Sequence, residues 1–454
     1  MHDPRTIPDR VHIVGAGGAG MSGLAKILSR LGHTVSGSDL KPGRMFDVLP
    51  DVGVETWVGH RPGAMADVGV VIRSSAVPDN DPELIAAAAA GVPVWGRPAL
   101  LAELTAANRT IGFAGTHGKT TSTAMAVAAL RGIGLDPSFL VGGQLVGLNT
   151  GAHVGDEPFI LEADEAFGTF RHLRLAGALV TNIEPDHLDY YGSVAALEDA
   201  FAQVVDRVDG PRVVCVDDPG VRRLAHRCEV TTFGRTDAAE WRITDLSHAD
   251  RGVAFTLRGP DIDTHVALPK PGSHIAADAA GVLVLLHSLG YDIEAMAAAL
   301  GGFTGVKRRY EVRAVVGDVT VVDDYAHHPT EVAATIEAAS LGASGRVIVV
   351  FQPHRYSRTA DLGPEFGSPL AHADHVIVTD VYPAGEQPVI GVTGRLVAQA
   401  VEAAGGSVSY VRLLPDVPAA VASVVEPGDT LLLLGAGDIT LMAGPIAQAI
   451  GGTS

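Results

Sequence analysis

The segment from Arg109 to Ala128, RTIGFAGTHGKTTSTAMAVA, constrains the fold of this chain more than any other. The short apolar run Thr110–Ala114 predicts a buried strand, and an alanine-rich helix is predicted to begin at Lys119. The Gly-Thr-His-Gly turn between them leads to free backbone N–H groups at the helix start, where the helix dipole also favours an anion. This strand–loop–helix unit predicts an α/β fold with a nucleoside triphosphate site.

The residue types in this loop suggest individual roles. The Lys119 ammonium can reach the outer phosphates, and the Thr120 hydroxyl can hold Mg²⁺. The loop is a variant, because Phe113 stands where the usual pattern has its first glycine, and an ordinary junction without a ligand is the alternative. As a charged residue at a loop–helix junction, Lys119 is expected to carry little packing energy. The predicted phosphate-binding residues are Gly115, Thr116, His117, Gly118, Lys119, Thr120 and Thr121.

A second glycine-rich loop follows the predicted strand Val11–Val14. Gly15, Gly17 and Gly20 have the spacing of a dinucleotide-binding turn, and Asp39 lies about twenty residues further on, where an acid could grip a ribose hydroxyl. Taken alone, the pattern predicts NAD, and a tight turn without a ligand is the alternative. The alternating strands and helices that follow predict a parallel, doubly wound sheet with ligands at the carboxyl ends of its strands.

Two further strands are predicted to bring charged side chains to the nucleotide loop. Phe159–Glu162 runs into Glu-Ala-Asp-Glu, and clustered carboxylates beside a phosphate loop suit Mg²⁺. Spacing does not decide between Glu162 and Glu165 as the ligand, and a solvated acidic turn is the alternative. Ala178–Thr181 ends in Thr-Asn-Ile-Glu-Pro-Asp-His, which predicts that His187 is a functional residue rather than a core histidine.

Four more predicted strands, in the last third of the chain, end in polar and mostly charged residues. They are Thr320–Val322, Val347–Phe351, Val376–Thr379 and Leu431–Leu434. Because the carboxyl ends of parallel strands meet at one edge of a sheet, these residues are predicted to form one site. Before them, Glu240–Leu268 alternates polar and apolar residues and predicts a β-rich insertion, and the basic segment Gly305–Tyr310 suits a hinge that contacts phosphate.

Composition limits the class of protein. At 454 residues the chain is too long for one core, so two to four domains are expected. The formal net charge of −19 argues against nucleic acid and anionic membranes as partners, because both require a clustered basic face. We expect neither a signal peptide nor a membrane span, which predicts a cytoplasmic protein. Cys215 and Cys228 have no metal-type spacing and are predicted to be core thiols.

In their order and spacing, these motifs resemble those of the Mur ligases of peptidoglycan synthesis. The resemblance runs from Val11 to Ile439 through GAGGAGMSG, GTHGKTT, EADE, TNIEPDHLDYYGS, DDYAHHPTE, FQPHRYSRT and VYPAGE. It implies an α/β fold of three domains. These are an N-terminal Rossmann-like domain for a UDP-sugar (1–107), a central P-loop ATPase with a mostly parallel sheet (108–309) and a C-terminal Rossmann-like domain for the amino acid (310–454). The first glycine loop is thereby reassigned from NAD to the UDP-sugar.

The resemblance implies ATP-dependent ligation through an acyl phosphate. The lactyl carboxylate of UDP-N-acetylmuramate is phosphorylated and then attacked by the amine of L-alanine, which gives UDP-N-acetylmuramoyl-L-alanine, ADP and phosphate. The implied cofactors are ATP and Mg²⁺, and we expect a monomer or weak homodimer. A ligase that attaches recycled tripeptide to the same UDP-sugar is the nearest alternative. An NAD-dependent dehydrogenase and a nucleotide-gated binding protein are more distant ones.

The resemblance also implies roles for individual residues. Lys119, His187 and Arg355 are the implied catalytic residues, and the implied metal ligands are Thr120, Glu165 and His187. Arg309 is implied to join the ATP-binding residues. For the UDP-sugar, the implied residues are Gly15, Gly17, Gly18, Gly20, Met21, Ser38, Asp39, Ser74 and Ser75. For the amino acid they are His327, His328, His354, Arg355 and Arg358, with the arginines suited to its carboxylate.

Two segments depart from the family pattern. After Glu-Ala-Asp-Glu, residues 166–170 read Ala-Phe-Gly-Thr-Phe and lack the serine and acid that such ligases usually have. At the start of the helix associated with adenine recognition, Ile275 and Asp278 replace two asparagines. The first departure concerns contacts with the sugar and the second concerns contacts with adenine.

Overall fold

The computed structural model describes residues 6–249 and 252–452 of the chain. Its strands form three sheets, and the three-domain α/β fold predicted from the sequence is confirmed. The described residues separate into two compact units. The first contains the residues up to Thr244 together with Thr256–Val266 and Ala277–Phe303, and the second contains the remainder.

The first sheet has five parallel strands with helices between them. The strands are β1 (Arg10–Val14), β2 (Thr34–Asp39), β3 (Glu55–Val58), β4 (Val70–Arg73) and β5 (Val94–Gly96), and the helices are α1 (Ala19–Arg30), α2 (Arg44–Asp47), α3 (Pro82–Ala89) and α4 (Arg97–Ala107). Their order is β3-β2-β1-β4-β5. The strand order reverses at β1, so the crevice outside its carboxyl end is the ligand-binding position of a doubly wound sheet.

The second sheet has ten strands and carries the nucleotide loop. The strands are β6 (Thr110–Ala114), β7 (Pro137–Leu140), β8 (Ala152–His153), β9 (Asp156–Glu162), β10 (Gly177–Val180), β11 (Arg212–Cys215), β12 (Thr231–Gly234), β13 (Trp241–Ala249), β14 (Gly252–Arg258) and β15 (Asp263–Leu268). The helices are α5 (Lys119–Gly132), α6 (Leu188–Tyr191), α7 (Val194–Asp206), α8 (Pro219–Ala225), α9 (Ser273–Ser288) and α10 (Ile293–Leu300). The order is β15-β14-β13-β12-β11-β10-β6-β9-β7-β8. β6 is therefore flanked by β9 and β10, the two strands predicted to supply charged residues, and the predicted β-rich insertion is confirmed as β13–β15.

The third sheet has six strands, and all pairs except the first are parallel. The strands are β16 (Glu311–Val316), β17 (Val319–Asp324), β18 (Val347–Phe351), β19 (His375–Val378), β20 (Val408–Tyr410) and β21 (Thr430–Leu434), and the helices are α11 (Pro329–Gly342), α12 (Tyr356–Leu362), α13 (Gly367–Leu370), α14 (Arg395–Ala403), α15 (Val417–Ala422) and α16 (Ala443–Gly451). The order is β16-β17-β21-β18-β19-β20. The four strands predicted to share one edge are adjacent, which confirms that their polar carboxyl ends meet.

The central strands of the third sheet are buried on both faces. Val322 and Leu432 belong to one apolar cluster, whereas Val321 and Leu431 belong to another. Since successive side chains of a strand point to opposite faces, continuous apolar strands such as β18 are explained by helices that cover both sides.

Two further expectations concern the cysteines and the membrane span. Cys215 and Cys228 are free thiols, but only Cys215 is buried. The prediction of two core thiols is therefore wrong for Cys228. Among the residues that the structure describes, none of the helices combines the length and apolar character needed to cross a bilayer.

Candidate active site

The phosphate loop is held in place by the end of β10. The backbone N–H of Thr116 donates to the Asn182 carbonyl at 3.1 Å, and that of His117 donates to Asn182 Oδ1 at 2.7 Å. Gly118 has φ +82°, and a Cβ there would lie 2.6 Å from the carboxylate of Asp278. Glycine is required at this position on both counts. The loop is thus fixed before any phosphate arrives.

Lys119 forms a buried ion pair with Glu165. Its Nζ lies 2.9 Å from both carboxylate oxygens, and the two side chains are 13% and 2% exposed. Burial acts to lower the pKa of the ammonium, but Glu165 and Asp164 outweigh it and raise the pKa of Lys119. Burial raises the pKa of Glu165 although Lys119 opposes it. The expectation that Lys119 carries little packing energy is wrong, because removing it would leave a buried carboxylate without its cation.

Thr120 contacts Glu162 rather than Glu165. Its hydroxyl lies 3.0 and 3.1 Å from the two Glu162 carboxylate oxygens. Glu162 pairs with Phe113 in the β6–β9 register and so ends its strand beside the loop, whereas Glu165 lies three residues further on. The three side chains offer oxygen donors of the kind that Mg²⁺ prefers. The implied role of Glu165 as a metal ligand stays a prediction, and Glu162 is a second candidate.

His187 lies at the N-cap of α6 in a left-handed conformation, with φ +54°. Its imidazole is partly exposed, and Nε2 lies 3.8 Å from Asp186 Oδ2. At the other end of the same short helix, the Tyr191 hydroxyl donates to the Glu165 carbonyl at 2.6 Å. His187 is therefore not a core residue and lies on the element that braces Glu165. Its role as a metal ligand stays a prediction.

Each departure from the family pattern adjoins the site described above, the first because it follows Glu165 in the chain and the second through Asp278. Residues 166–172 form a 3-10 turn in which Phe167 has φ +53° and is 57% exposed, with its ring edge against Tyr190 at 6.1 Å between centroids. A bulky residue in this conformation is strained. Asp278, on α9, is buried with its carboxylate against Gly118. An acid thus stands beside the phosphate loop where the family pattern has an asparagine.

The first glycine loop is shaped by the end of β2. The N–H groups of Gly15 and Ala16 donate to the Ser38 carbonyl at 2.9 Å each, and that of Gly17 donates to Asp39 Oδ2 at 2.9 Å. The predicted acid therefore caps the loop. A cavity of about 220 Å³ opens beside it. Its walls include Gly15, Gly18, Ser38, Asp39, Leu40, His60, Ser74 and Val77.

The other residues implied for the UDP-sugar are placed differently. Met21 packs in the apolar core, and Ser75 is exposed outside the cavity walls. The Ser38 side chain is buried and donates to Glu83, so only the backbone carbonyl of Ser38 contacts the loop. Ser38 lies on a strand and Met21 on a helix, and both side chains are buried. The motif alone could not tell which of their atoms meet a ligand.

Glu83 is a buried residue that the sequence analysis missed. Its carboxylate accepts hydrogen bonds from Ser38, from Trp57 Nε1 at 2.8 Å and from the Arg61 N–H at 2.7 Å, and it lies 3.4 Å from His12 Nε2. Burial acts to raise the pKa of Glu83, but the bonds from His12, Ser38, Arg61 and Trp57 lower it to about 2. An ionised carboxylate thus anchors the strand that shapes the glycine loop.

The residues predicted to hold the amino acid meet at the edge of the third sheet. The imidazoles of His327 and His354 lie 5.8 Å apart, and His354 stacks on Tyr382 at 5.6 Å. The Arg355 N–H donates to the Tyr382 carbonyl at 2.8 Å. Burial lowers the pKa of His327 to about 4, and burial with the nearby His327, Arg358 and Arg355 lowers that of His354 to about 3. Tyr382 was not singled out, although it lies in the Val-Tyr-Pro-Ala-Gly-Glu motif.

His328 and the basic segment have contacts of their own. His328 is the buried N-cap of α11 and forms a capping box with Glu331, which gives it a structural role. Arg308 donates to the carbonyls of residues 435 and 437 at 2.6 and 3.1 Å. Arg309 lies over the Tyr325 ring at 5.1 Å. The implied contacts of His328 with the amino acid and of Arg309 with ATP stay predictions.

Three family models match successive parts of the chain. The Mur ligase family catalytic domain matches residues 10–109, the Mur ligase middle domain matches residues 113–286, and the Mur ligase, glutamate ligase domain matches residues 308–437. Together they cover all three sheets.

Individual relatives match over nearly the whole chain. The UDP-N-acetylmuramate–L-alanine ligase of Mycolicibacterium vanbaalenii is 45% identical, over 97% of this chain and 96% of its own. That of Thermobifida fusca is 40% identical, over 97% of each chain. Among solved structures, UDP-N-acetylmuramate-alanine ligase from Thermotoga maritima has a TM-score of 0.83 at 26% identity and covers 98% of this chain and 100% of its own. A murein peptide ligase from Psychrobacter arcticus, at 24% identity, has a TM-score of 0.70 and covers 97% and 98%.

Proposed function

The chain belongs to the Mur ligase family, and from this premise we propose that it joins L-alanine to UDP-N-acetylmuramate with hydrolysis of ATP to ADP and phosphate. The observation that carries the proposal is the buried Lys119–Glu165 pair at a phosphate loop, in the same compact unit as a glycine-loop cavity. A dehydrogenase would leave that loop without a purpose. The relatives at 40–45% identity are named as alanine ligases, so the tripeptide-recycling alternative is not favoured.

The first step is transfer of the ATP γ-phosphoryl group to the lactyl carboxylate, which gives an acyl phosphate and ADP. Lys119 and the loop N–H groups neutralise the charge on the group in transfer. Thr120, Glu162, Glu165 and His187 would hold Mg²⁺, which when bound supplies further positive charge beside the phosphates. Of these donors, Thr120, Glu162 and Glu165 are already held in place by hydrogen bonds.

The second step is attack of the deprotonated alanine amine on the acyl carbon, from which phosphate leaves. The guanidinium groups of Arg355 and Arg358 are suited to the carboxylate of the amino acid. The low pKa values of His327 and His354 keep these imidazoles neutral at physiological pH, so they do not repel the amino group. The side chains of this edge therefore bind and orient the amino acid.

The wider assignment follows from the same proposal. A ligase of this kind acts in the cytoplasm, in peptidoglycan synthesis and hence in cell-wall biogenesis, cell shape, division and the cell cycle. Its cofactors are ATP and Mg²⁺, and we expect a monomer or weak homodimer. The domain boundaries after residues 107 and 309 belong to this proposal, since they separate the three ligand-binding regions.

Phosphate release tests the proposal. Purified protein with ATP, Mg²⁺ and UDP-N-acetylmuramate should release phosphate only when an amino acid is added, and a panel of amino acids should give the highest rate with L-alanine. UDP-N-acetylglucosamine, which lacks the lactyl carboxylate, is the matched control and should give no amino-acid-dependent release. Release that does not depend on the amino acid, or that is fastest with a tripeptide, would contradict the proposal.

A further inference from the structure

Phe167 has a backbone conformation that its residue type disfavours. Its φ is +53°, that of the following Gly168 is +66°, and its side chain is 57% exposed. A left-handed backbone is an outlier for a bulky residue, and a ring that stays in water gains little from packing. The fold alone therefore does not explain a phenylalanine here, where the family pattern has an acid. Backbone outliers of this kind cluster at ligand-binding sites.

Tyr190 gives the Phe167 ring a fixed neighbour. The two rings meet edge to face at 6.1 Å between centroids, and Tyr190 in turn meets Tyr191 at 4.9 Å. A Cβ on Gly168 would lie 2.8 Å from the Tyr190 hydroxyl oxygen, so the glycine leaves room for this tyrosine. Tyr190 is nevertheless 47% exposed. Phe167 and Tyr190, the aromatic pair, thus present a supported apolar surface.

The aromatic pair is attached to the backbone around the Lys119–Glu165 ion pair. Phe167 follows Glu165 by two residues, so their Cα atoms are at most about 7 Å apart. Tyr190 precedes Tyr191, whose hydroxyl donates to the Glu165 carbonyl at 2.6 Å. Both rings therefore lie on segments that hold the carboxylate which pairs with Lys119.

The reacting carboxylate of the substrate determines which group comes to this surface. In UDP-N-acetylmuramate the lactyl carboxyl carbon is joined to the hexose ring through three bonds, a distance of about 4 Å. The hexose must therefore lie beside the phosphate loop when the phosphoryl group is transferred. The faces of a hexose ring carry C–H groups, which pack favourably against an aromatic ring, whereas the charged Lys119, Glu165 and His187 suit phosphate and metal.

We infer that the aromatic pair binds the hexose of the UDP-sugar, with the Phe167 ring stacked on its C–H face. This inference rests on the proposed function, because it concerns the sugar substrate of that reaction. Phe167 is a binding residue, since it holds a part of the substrate that does not react. The left-handed backbone keeps its ring at the surface beside Tyr190, where the sugar meets it.

Calorimetric titration of UDP-N-acetylmuramate and of UDP separates the hexose contact from the nucleotide contacts. Phe167→Asn removes the ring and tolerates the left-handed backbone. It should weaken binding of UDP-N-acetylmuramate about 5–20-fold and leave UDP binding unchanged, because only the sugar loses a partner. Phe167→Tyr, which keeps the ring, should stay within about twofold of wild type for both ligands. The melting temperature of Phe167→Asn should equal or exceed that of wild type, because backbone strain is relieved.

The matched control is Leu135→Asn, which removes another exposed apolar side chain, beyond the end of α5 that is remote from the phosphate loop, and should change neither affinity. Equal losses for UDP-N-acetylmuramate and UDP in Phe167→Asn, or no loss for either, would overturn the inference and leave the ligase proposal standing. A lower melting temperature with unchanged affinities would mean a structural ring and would overturn it too. Failure of the wild-type protein to bind UDP-N-acetylmuramate at all would overturn both proposals.

Discussion

Replacing Lys119 by methionine removes the ammonium but keeps most of the side-chain volume. Glu165, which is 2% exposed, would then be a buried carboxylate without a cation and would take up a proton. Protonation at pH 7 of a group whose ordinary pKa is 4.5 costs about 3 kcal/mol, at about 1.4 kcal/mol per pH unit. We therefore expect Lys119→Met to lose about 3 kcal/mol of unfolding free energy at pH 7, in line with other broken buried pairs.

The sign of the pH dependence follows from the same pair. Burial already raises the pKa of Glu165 in the wild type, and loss of the opposing Lys119 cation raises it further above the unfolded value, so the stability of the variant is present at low pH and is lost as the pH rises. The difference in unfolding free energy between wild type and Lys119→Met should shrink by about 1–2 kcal/mol between pH 7 and pH 5.5. The double variant Lys119→Met/Glu165→Gln should remove most of the deficit at both pH values. Urea denaturation followed by tryptophan fluorescence suits the measurement, because Trp57, Trp95 and Trp241 all lie in the first compact unit.

The ligation rate of the two variants should not follow their unfolding free energy. Both variants should lose on the order of 10³-fold or more in ligation rate, because a preorganised charge on the phosphoryl group is gone. Arg131→Met, on the same helix, breaks an exposed pair and should cost less than about 1 kcal/mol with no loss of rate. Near wild-type turnover would refute the phosphate-loop assignment. A deficit that is the same at both pH values, or that Glu165→Gln does not relieve, would refute the ion-pair reasoning.

Three further predictions concern single side chains. His187→Asn, which tolerates the left-handed conformation, should raise the Mg²⁺ concentration for half-maximal rate with little change in melting temperature; the opposite pattern would mean a structural histidine. Arg355→Gln should raise the KM for L-alanine about 10–100-fold and leave the KM for ATP unchanged, and equal effects on both would contradict the carboxylate role. Glu83 has a lowered pKa, so its contribution is present above pH 4.5 and is lost as the pH falls toward about 2. The unfolding free energies of wild type and Glu83→Gln should therefore differ by about 3 kcal/mol at pH 7 and by less at pH 3.5. A difference that does not change with pH would refute the ionised network.

Local sequence patterns predict the strands of this protein and the sheet edges at which the strands end. β6 and the start of α5 lie where the sequence places them, because an unbroken apolar run and a glycine turn leave few alternatives. Buried parallel strands are also evident from continuous Val, Leu and Ile in β18 and β21. Edge strands such as β5 are short and only partly buried, so they lack the continuous apolar run that identifies the central strands.

The contacts within the site could not be predicted, because they join residues that are distant in sequence. Lys119 and Glu165 are 46 residues apart, and nothing in either motif says which of Glu162 and Glu165 meets the ammonium. Asp39 was predicted to grip a ribose, yet it also caps its own loop, which only the fold of β2 beside the glycine turn reveals.

The fate of the lactyl carboxylate oxygens tests the central claim most directly. UDP-N-acetylmuramate with a heavy oxygen isotope in both carboxylate positions should be converted with ATP, Mg²⁺ and L-alanine, and the products analysed by mass spectrometry. An acyl phosphate requires that one labelled oxygen leaves with the released phosphate for each amide formed, while the other stays in the amide carbonyl. Labelled phosphate in that ratio is the predicted result. Amide formed with unlabelled phosphate, or with the label in AMP, would contradict phosphoryl transfer at the Lys119 loop.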